Sequence, residues 1–319
     1  MVDKGENNGR RIVDGHCHVA STDFIPRAFI EGVVDNMLVA LEAQGLRPGR
    51  TKLIDLYLGQ MRDPECDELV SQMADAGIEK AVLLLPDFSY VFRDSGLTIA
   101  EAYYRHSLIL KKWPGRFFVL AGIDPRWGTD GLELFERGIR EFGFSGLKLY
   151  PPCGYSPSDK ILFPFFEICA QYKLPVVSHT GGTSAALTYG TSRPILIDEA
   201  SHNFAGVNFI LAHGTGAYLE ECAMMCAFRP NVFVDVSGYE AQQLERLQLL
   251  TSRGINHKLI FGTDWPVFRL QGTQKDLLSS LLSSDDFAGR MRDYELNNFL
   301  GATIERLLSH NALNLRQSS

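Results

Sequence analysis

Eight short apolar runs, each followed by a longer amphipathic stretch, constrain this chain more than any other feature. The runs are RIVDGH (11–16), KAVLLLP (80–86), RFFVLAGID (116–124), GLKLYP (146–151), LPVVSH (174–179), VNFILAH (207–213), NVFVDVS (231–237) and KLIFGTD (258–264). Each is nearly continuous in Val, Ile, Leu or Phe, as parallel strands buried on both faces require. Helix-like segments lie between them, among them CDELVSQMADAG (66–77), LELFERGIREFG (132–143), FPFFEICAQY (163–172) and AYLEECAMMCAF (217–228). Gly77 and Gly143 stand where two of these helices should stop. Eight strands alternating with helices leave two architectures, a closed barrel or a doubly wound sheet. Strand ends recur at intervals of roughly 30 residues, the size of one βα unit, which favours the α/β class with a (β/α)8 TIM barrel.

The 319 residues suffice for one such barrel, and no Pro/Gly/Ser-rich linker divides them, so residues 1–319 are read as one domain. The exception to the regular spacing is residues 19–65, a long insertion after the first strand. It contains PRAFIEGVVDNMLVALEAQG (26–45) and is expected to form one helix and a loop over the barrel mouth. The tail from about 273 to 319 reads as helical, with LLSSLL (277–282) and FLGATIERLL (299–308) as its apolar stripes. A net charge of -7 argues against a nucleic-acid surface. No run approaches the ~18 apolar residues of a membrane span, and the first residues, MVDKGENNGRR, lack an apolar signal core. Six cysteines, Cys17, Cys66, Cys153, Cys169, Cys222 and Cys226, form no CxxC pair and read as buried thiols in a reducing compartment. The chain is therefore expected in the cytoplasm, with a small molecule as its partner and a homodimer left open.

The chemistry-bearing residues gather at strand ends. His16 and His18 flank Cys17 at the end of the first run, and residues two apart on a strand point the same way. Alone, that pair is two chance histidines. However, four of the eight histidines, His16, His18, His179 and His213, end predicted strands, where a barrel places its catalytic face. His106, His202, His257 and His310 fall in helices or loops, where a solvated ring or a local hydrogen bond is the simpler account. Asp264 ends the eighth run, and a carboxylate closing so apolar a strand suits a site better than a core.

DGHCH, VSHTGG, LAHGTG and FGTDWP, in this order, resemble the amidohydrolase superfamily across nearly the whole chain. Within it, the chain resembles the branch that contains aminocarboxymuconate-semialdehyde decarboxylase and the resorcylate-type decarboxylases. The resemblance implies a divalent metal, expected to be zinc and either one ion or two, held by His16, His18, His179 and Asp264. It implies for His213 either a hydrogen bond to the water at the metal or a place on a second ion. GLKLYPP around Lys148 resembles the dihydroorotase segment whose lysine is carboxylated and bridges two metals. The alternative is a Lys148 ammonium that pairs with a carboxylate or a substrate anion. Dihydroorotases carry an arginine soon after the two histidines, and Val19 and Ala20 stand here instead, which argues against that activity.

Two enzymatic readings follow. In the first, a metal-dependent hydrolase cleaves an amide, ester or lactone, with Asp264 and His213 as acid/base and electrophilic residues. In the second, the same platform decarboxylates a small aromatic or unsaturated acid. A barrel without catalysis is disfavoured because every expected ligand is present. Asp14 is a candidate for orienting a histidine ring. Arg126, Tyr150, Arg193 and Trp265 are candidates for the mouth, and Gly181, Gly182 and Gly214 for close approach of backbone to substrate.

Overall fold

The structure, a computed structural model, describes residues 9–93, 96–238 and 243–315. The start of the chain and the last four residues, on which the reading of the N-terminus and the end of the tail fell, lie outside them.

All eight apolar runs are strands, and all run parallel in one sheet. In chain order they are β1 (Val13–Cys17), β4 (Lys80–Leu85), β5 (Phe117–Gly122), β6 (Gly146–Leu149), β7 (Val176–Ser178), β8 (Phe209–Leu211), β9 (Val232–Asp235) and β10 (Leu259–Ile260). Each pairs with its sequence neighbour. Between them lie α3 (Asp67–Ala76), α4 (Ile99–Lys112), α5 (Gly128–Phe142), α6 (Phe163–Tyr172), α7 (Asp198–Asn203), α8 (Leu219–Phe228) and α9 (Leu244–Ser252). Gly77 and Gly143 do end α3 and α5, each in the left-handed region that glycine enters without a Cβ penalty.

The period of two along each strand sorts its side chains into two cores. Val82, Leu84, Leu120, Val177, Ile210 and Phe233 form one cluster with no residue from α3 to α9, which places it inside the barrel. Their neighbours Leu83, Leu85, Val119, Val176, Leu211 and Val234 pack with the helices outside. The ring closes where the last strand meets the first. Gly15 N donates to Phe261 O at 2.8 Å, Asp264 N to His16 O at 2.8 Å and His18 N to Trp265 O at 2.7 Å. This approach needs glycine: a Cβ on Gly15 would lie 2.6 Å from Ile260 Cγ2 and 2.9 Å from the Phe261 carbonyl. The opposite end is plugged by α12 (Thr303–Leu315), whose Ile304, Leu307 and Leu308 join the inner cluster. FLGATIERLL is therefore not one helix. It kinks at Gly301, after α10 (Gln274–Ser283) and α11 (Asp293–Asn297), and there Phe299 O accepts from Phe261 N.

The insertion holds more structure than one helix and a loop. A two-stranded antiparallel ribbon, β2 (Ala20–Ser21) and β3 (Arg62–Asp63), brings its ends together. Between them stand α1 (Arg27–Ala43) and α2 (Arg50–Gln60). α1 is fastened to the loop after β7. Ser184 Oγ donates to Phe29 O at 2.8 Å, and Asn36 Nδ2 to Thr183 O at 2.8 Å.

Candidate functional site

β1 and β10 together bring His16, His18 and Asp264 to one point. His16 Nε2 lies 3.4 Å and His18 Nε2 3.2 Å from Asp264 Oδ1. Their protonation follows from the far side of each ring. His18 Nδ1–H donates to the Leu84 carbonyl at 2.7 Å, so in the neutral ring Nε2 carries the lone pair. His16 Nδ1–H donates to Asp235 Oδ2 at 2.8 Å, and its Nε2 is buried with no hydrogen-bond partner. Two nitrogen lone pairs thus converge on a carboxylate oxygen. That arrangement fits a divalent cation, and imidazole and carboxylate are ordinary ligands for one.

Burial pushes the His16 ring down to about 4 and the His179 ring well below the ordinary histidine value, which keeps both neutral. Burial alone would raise the Asp264 carboxyl. Positive charge on the neighbouring His213, His18 and His16 rings, whenever they take up a proton, outweighs it and holds the group below the usual carboxylate range, so Asp264 is the ionised member of the set. Asp235 behaves likewise, drawn down chiefly by His16.

Asp235, at the end of β9, was not among the residues singled out from sequence. It is the buried partner that fixes the tautomer of His16. Its other oxygen, Oδ1, accepts from His213 N at 3.0 Å, Ser237 N at 3.1 Å and Ser237 Oγ at 2.5 Å. With the Ser237 proton committed there, Ser237 Oγ accepts from His213 Nδ1–H at 3.0 Å. This leaves His213 Nε2 as the basic nitrogen. His213 and Asp264 both have a φ of 60°, backbone that L-residues with long side chains rarely adopt and that is often found at working sites.

Lys148 lies on β6 between Leu147 and Leu149, which belong to the outer core, so its side chain enters the barrel. Its Nζ is buried and has no hydrogen-bond partner. Burial draws its pKa down to about 8, against the pull of Asp235 and Asp264. His179 stands beside the converging group rather than in it. Its Nε2–H donates to the Gly182 carbonyl at 2.9 Å, and its ring stacks on Tyr150 with centroids 4.3 Å apart.

These residues open into a cavity of about 590 Å³, lined at its floor by His18, His179, His213 and Asp264. The insertion supplies much of its wall, through Phe29, Ile30, Val33 and Met37 of α1 and Tyr57 of α2. Phe88 and Tyr150 continue that wall from Phe29, the Phe88 and Tyr150 rings 4.9 Å apart.

Several sequence expectations are corrected here. Asp14 reaches no histidine ring. Its carboxylate accepts from Thr263 N, Thr263 Oγ1, His16 N and Gln274 Nε2, and so ties β1 to the chain after β10. Of the four mouth candidates, Tyr150 alone lines the cavity. Arg126 pairs with Asp124, Arg193 with Glu221, and Trp265 is core. Gly181 and Gly182 do line the cavity, but Gly214 is small because a Cβ there would meet Val234 Cγ2 at 2.2 Å. For His106, of the two accounts left open, the local hydrogen bond is the one present: the ring is buried and its Nδ1–H donates to Ala102 O at 2.8 Å. The His310 side chain lies outside the described residues.

The family model described as Amidohydrolase matches residues 13–313, and the chain belongs to that family of enzymes. Among curated proteins, none matches it in sequence. Solved structures share the fold. One is an uncharacterised TIM-barrel protein from Bordetella bronchiseptica, with TM-score 0.65 and 17% identity over 95% of this chain and 99% of that one. A second is a 5-carboxyvanillate decarboxylase from Novosphingobium aromaticivorans complexed with manganese and 4-hydroxy-3-methoxy-5-nitrobenzoic acid. Its TM-score is 0.66, with 14% identity over 95% and 97% of the two chains. A third is a 4-oxalomesaconate hydratase from Rhodopseudomonas palustris, with TM-score 0.61 and 17% identity over 96% and 98%. Among the described residues no helix is long and apolar enough to cross a membrane.

Proposed function

We propose that this chain is a metal-dependent hydrolase acting on an amide, ester or lactone of a small organic molecule. The observation that carries the reading is the convergence of His16 Nε2, His18 Nε2 and Asp264 Oδ1 at the floor of a cavity that His213 also lines. His16, His18 and Asp264 would hold the cation. His179, neutral and adjacent, would complete the set by exchanging the Gly182 carbonyl for it. Bound there, a divalent ion supplies Lewis acidity and lowers the pKa of water from 15.7 to about 7. Zinc is the proposed ion, and two histidines with a carboxylate are a common zinc set. One ion is proposed rather than two, because in the second group of possible ligands His16 Nδ1 and Asp235 Oδ2 bind each other and His213 Nδ1 binds Ser237 Oγ. Lys148 is read as an ammonium balancing Asp235 and Asp264.

The remaining chemistry belongs to the chain. Asp264 takes a proton from water and passes it to the leaving group. His213 Nε2, with its other nitrogen anchored on Ser237, accepts a hydrogen bond from the attacking water and so orients its oxygen toward the carbonyl carbon. The water oxygen forms a new C–O bond, the C–O or C–N bond to the leaving group breaks, and no electron is gained or lost.

The second reading, a carboxy-lyase, draws on the solved neighbours named as decarboxylases. A panel of esters, lactones, amides and aromatic acids, offered to metal-loaded protein in ¹⁸O-water, separates the two. The hydrolytic reading requires ¹⁸O in the acid product and a kcat lowered about 10²–10⁴-fold by His213→Asn at unchanged metal content. Carbon dioxide release without ¹⁸O uptake would replace it with the lyase.

A further inference from the structure

The described residues that line the active-site cavity include no lysine and no arginine, and Asp264 is their one carboxylate. The arginines that sequence had offered to the mouth are engaged elsewhere, Arg126 with Asp124 and Arg193 with Glu221. Residues 239–242, which follow the lining residue Gly238 and lie outside the described ones, read Tyr-Glu-Ala-Gln and bring no cation either. Most of the wall away from the floor is hydrocarbon, and its polar members, Asn36, Thr183, Ser184 and Tyr189, carry no charge and hydrogen-bond one another, Tyr150 or the backbone of α1. Phe29, Val33 and Met37 follow one another at i, i+4 and i+8 on α1, a single helical stripe aimed into the cavity. Phe29 and Phe88 pack with centroids 4.7 Å apart, continuing the aromatic wall that begins with Tyr150 on His179.

An anionic group seated on such a wall would lose its water and gain no partner, a loss that apolar contact does not replace. A hydrocarbon group would gain from every methylene buried there, roughly fourfold in affinity each. We propose that the substrate is an uncharged carbonyl compound whose hydrocarbon part lies along the α1 stripe, with the carbonyl over His18 and Asp264. This assignment rests on the hydrolytic reading above. It names what that reading leaves open, and it sets the chain apart from neighbours whose printed ligands are benzoic acids.

The test uses ketones, which the enzyme cannot hydrolyse. The metal-loaded full chain is titrated calorimetrically with 2-butanone, 2-octanone and 7-oxooctanoate, the last matching 2-octanone in length but ending in a carboxylate. Affinity is expected to rise by roughly fourfold per methylene from 2-butanone to 2-octanone, and 7-oxooctanoate should bind at least about a hundredfold more weakly than 2-octanone. Met37→Lys should narrow that gap from both sides, because it places a cation on the stripe. Equal or tighter binding of 7-oxooctanoate by the wild-type chain would overturn the proposal, as would affinity that does not grow with chain length. Hydrolysis of a hexanoate ester, followed in parallel, keeps the two claims apart. The expected ketone ranking without ester cleavage would reject hydrolysis and keep the hydrocarbon seat. Ester cleavage with a reversed ranking would do the opposite.

Discussion

At the residue scale, the candidate site is a set of histidines whose nitrogens are assigned by their neighbours. His18 is fixed by the Leu84 carbonyl, His16 by Asp235 and His213 by Ser237. His16, His18 and Asp264 were legible in sequence because ligand-type residues that end apolar strands are conspicuous. Asp235 was not, although VFVDVS carries the sign: a carboxylate at the end of an apolar strand, the same argument that picked out Asp264. Losing a buried carboxylate behind a ligand histidine typically costs 10–100-fold in metal affinity. Asp235→Asn is expected to fall in that range in a chelator competition, and wild-type affinity would show that His16 orients itself. His106 gives a pH-dependent expectation free of the metal. Burial outweighs the hydrogen bond to the Ala102 carbonyl and pushes its ring down to about 4. An unfolded histidine titrates near 6.5, so as pH falls from about 6.5 to about 4 the unfolded chain takes up a proton that the folded chain refuses. Stability therefore drops across that window. His106→Leu should lose about 2 kcal/mol less than wild type between pH 7 and pH 5 in urea unfolding. An unchanged pH slope would contradict the assignment.

At the element scale, the strands were readable and the insertion only partly so. A strand buried on both faces leaves a continuous apolar run, and each of the eight runs left one. α1 was visible from its apolar stripe, but α2, RTKLIDLYLGQ, buries only Ile54 and Tyr57 of its length and shows little periodicity. The ribbon that closes the insertion is two residues a side and carries no pattern that sequence could display. What positions α1 is close contact with the loop after β7. A Cβ on Gly32 would lie 2.2 Å from Ser184 Oγ and 2.8 Å from the Ala186 backbone nitrogen, an atom that cannot rotate away. Overpacking of this kind costs about 1–3 kcal/mol. Gly32→Val is therefore expected to lift α1 and raise KM about tenfold, with metal content unchanged. A wild-type KM would mean that α1 does not shape the substrate seat.

At the scale of the whole molecule, closing the barrel and building the site are one event. The hydrogen bonds that join the first strand to the last run through His16, His18 and Asp264 themselves, and Asp14 clamps the same seam through Thr263 and Gln274. The ligand group is thus assembled from the two ends of the barrel sequence, about 250 residues apart, by the same hydrogen bonds that close the ring. Local sequence could not show this meeting. It could show only that ligand-type residues stood at strand ends, and barrel topology supplied the rest. Elemental analysis of the purified, reconstituted chain beside a His16→Ala/His18→Ala variant tests the central claim most directly. About one equivalent of divalent transition metal is expected in the wild type, and less than about a tenth in the variant, with the circular dichroism of a folded barrel in both. A wild-type chain that retains less than about a tenth of an equivalent after reconstitution, or a variant that retains a full one, would contradict the account.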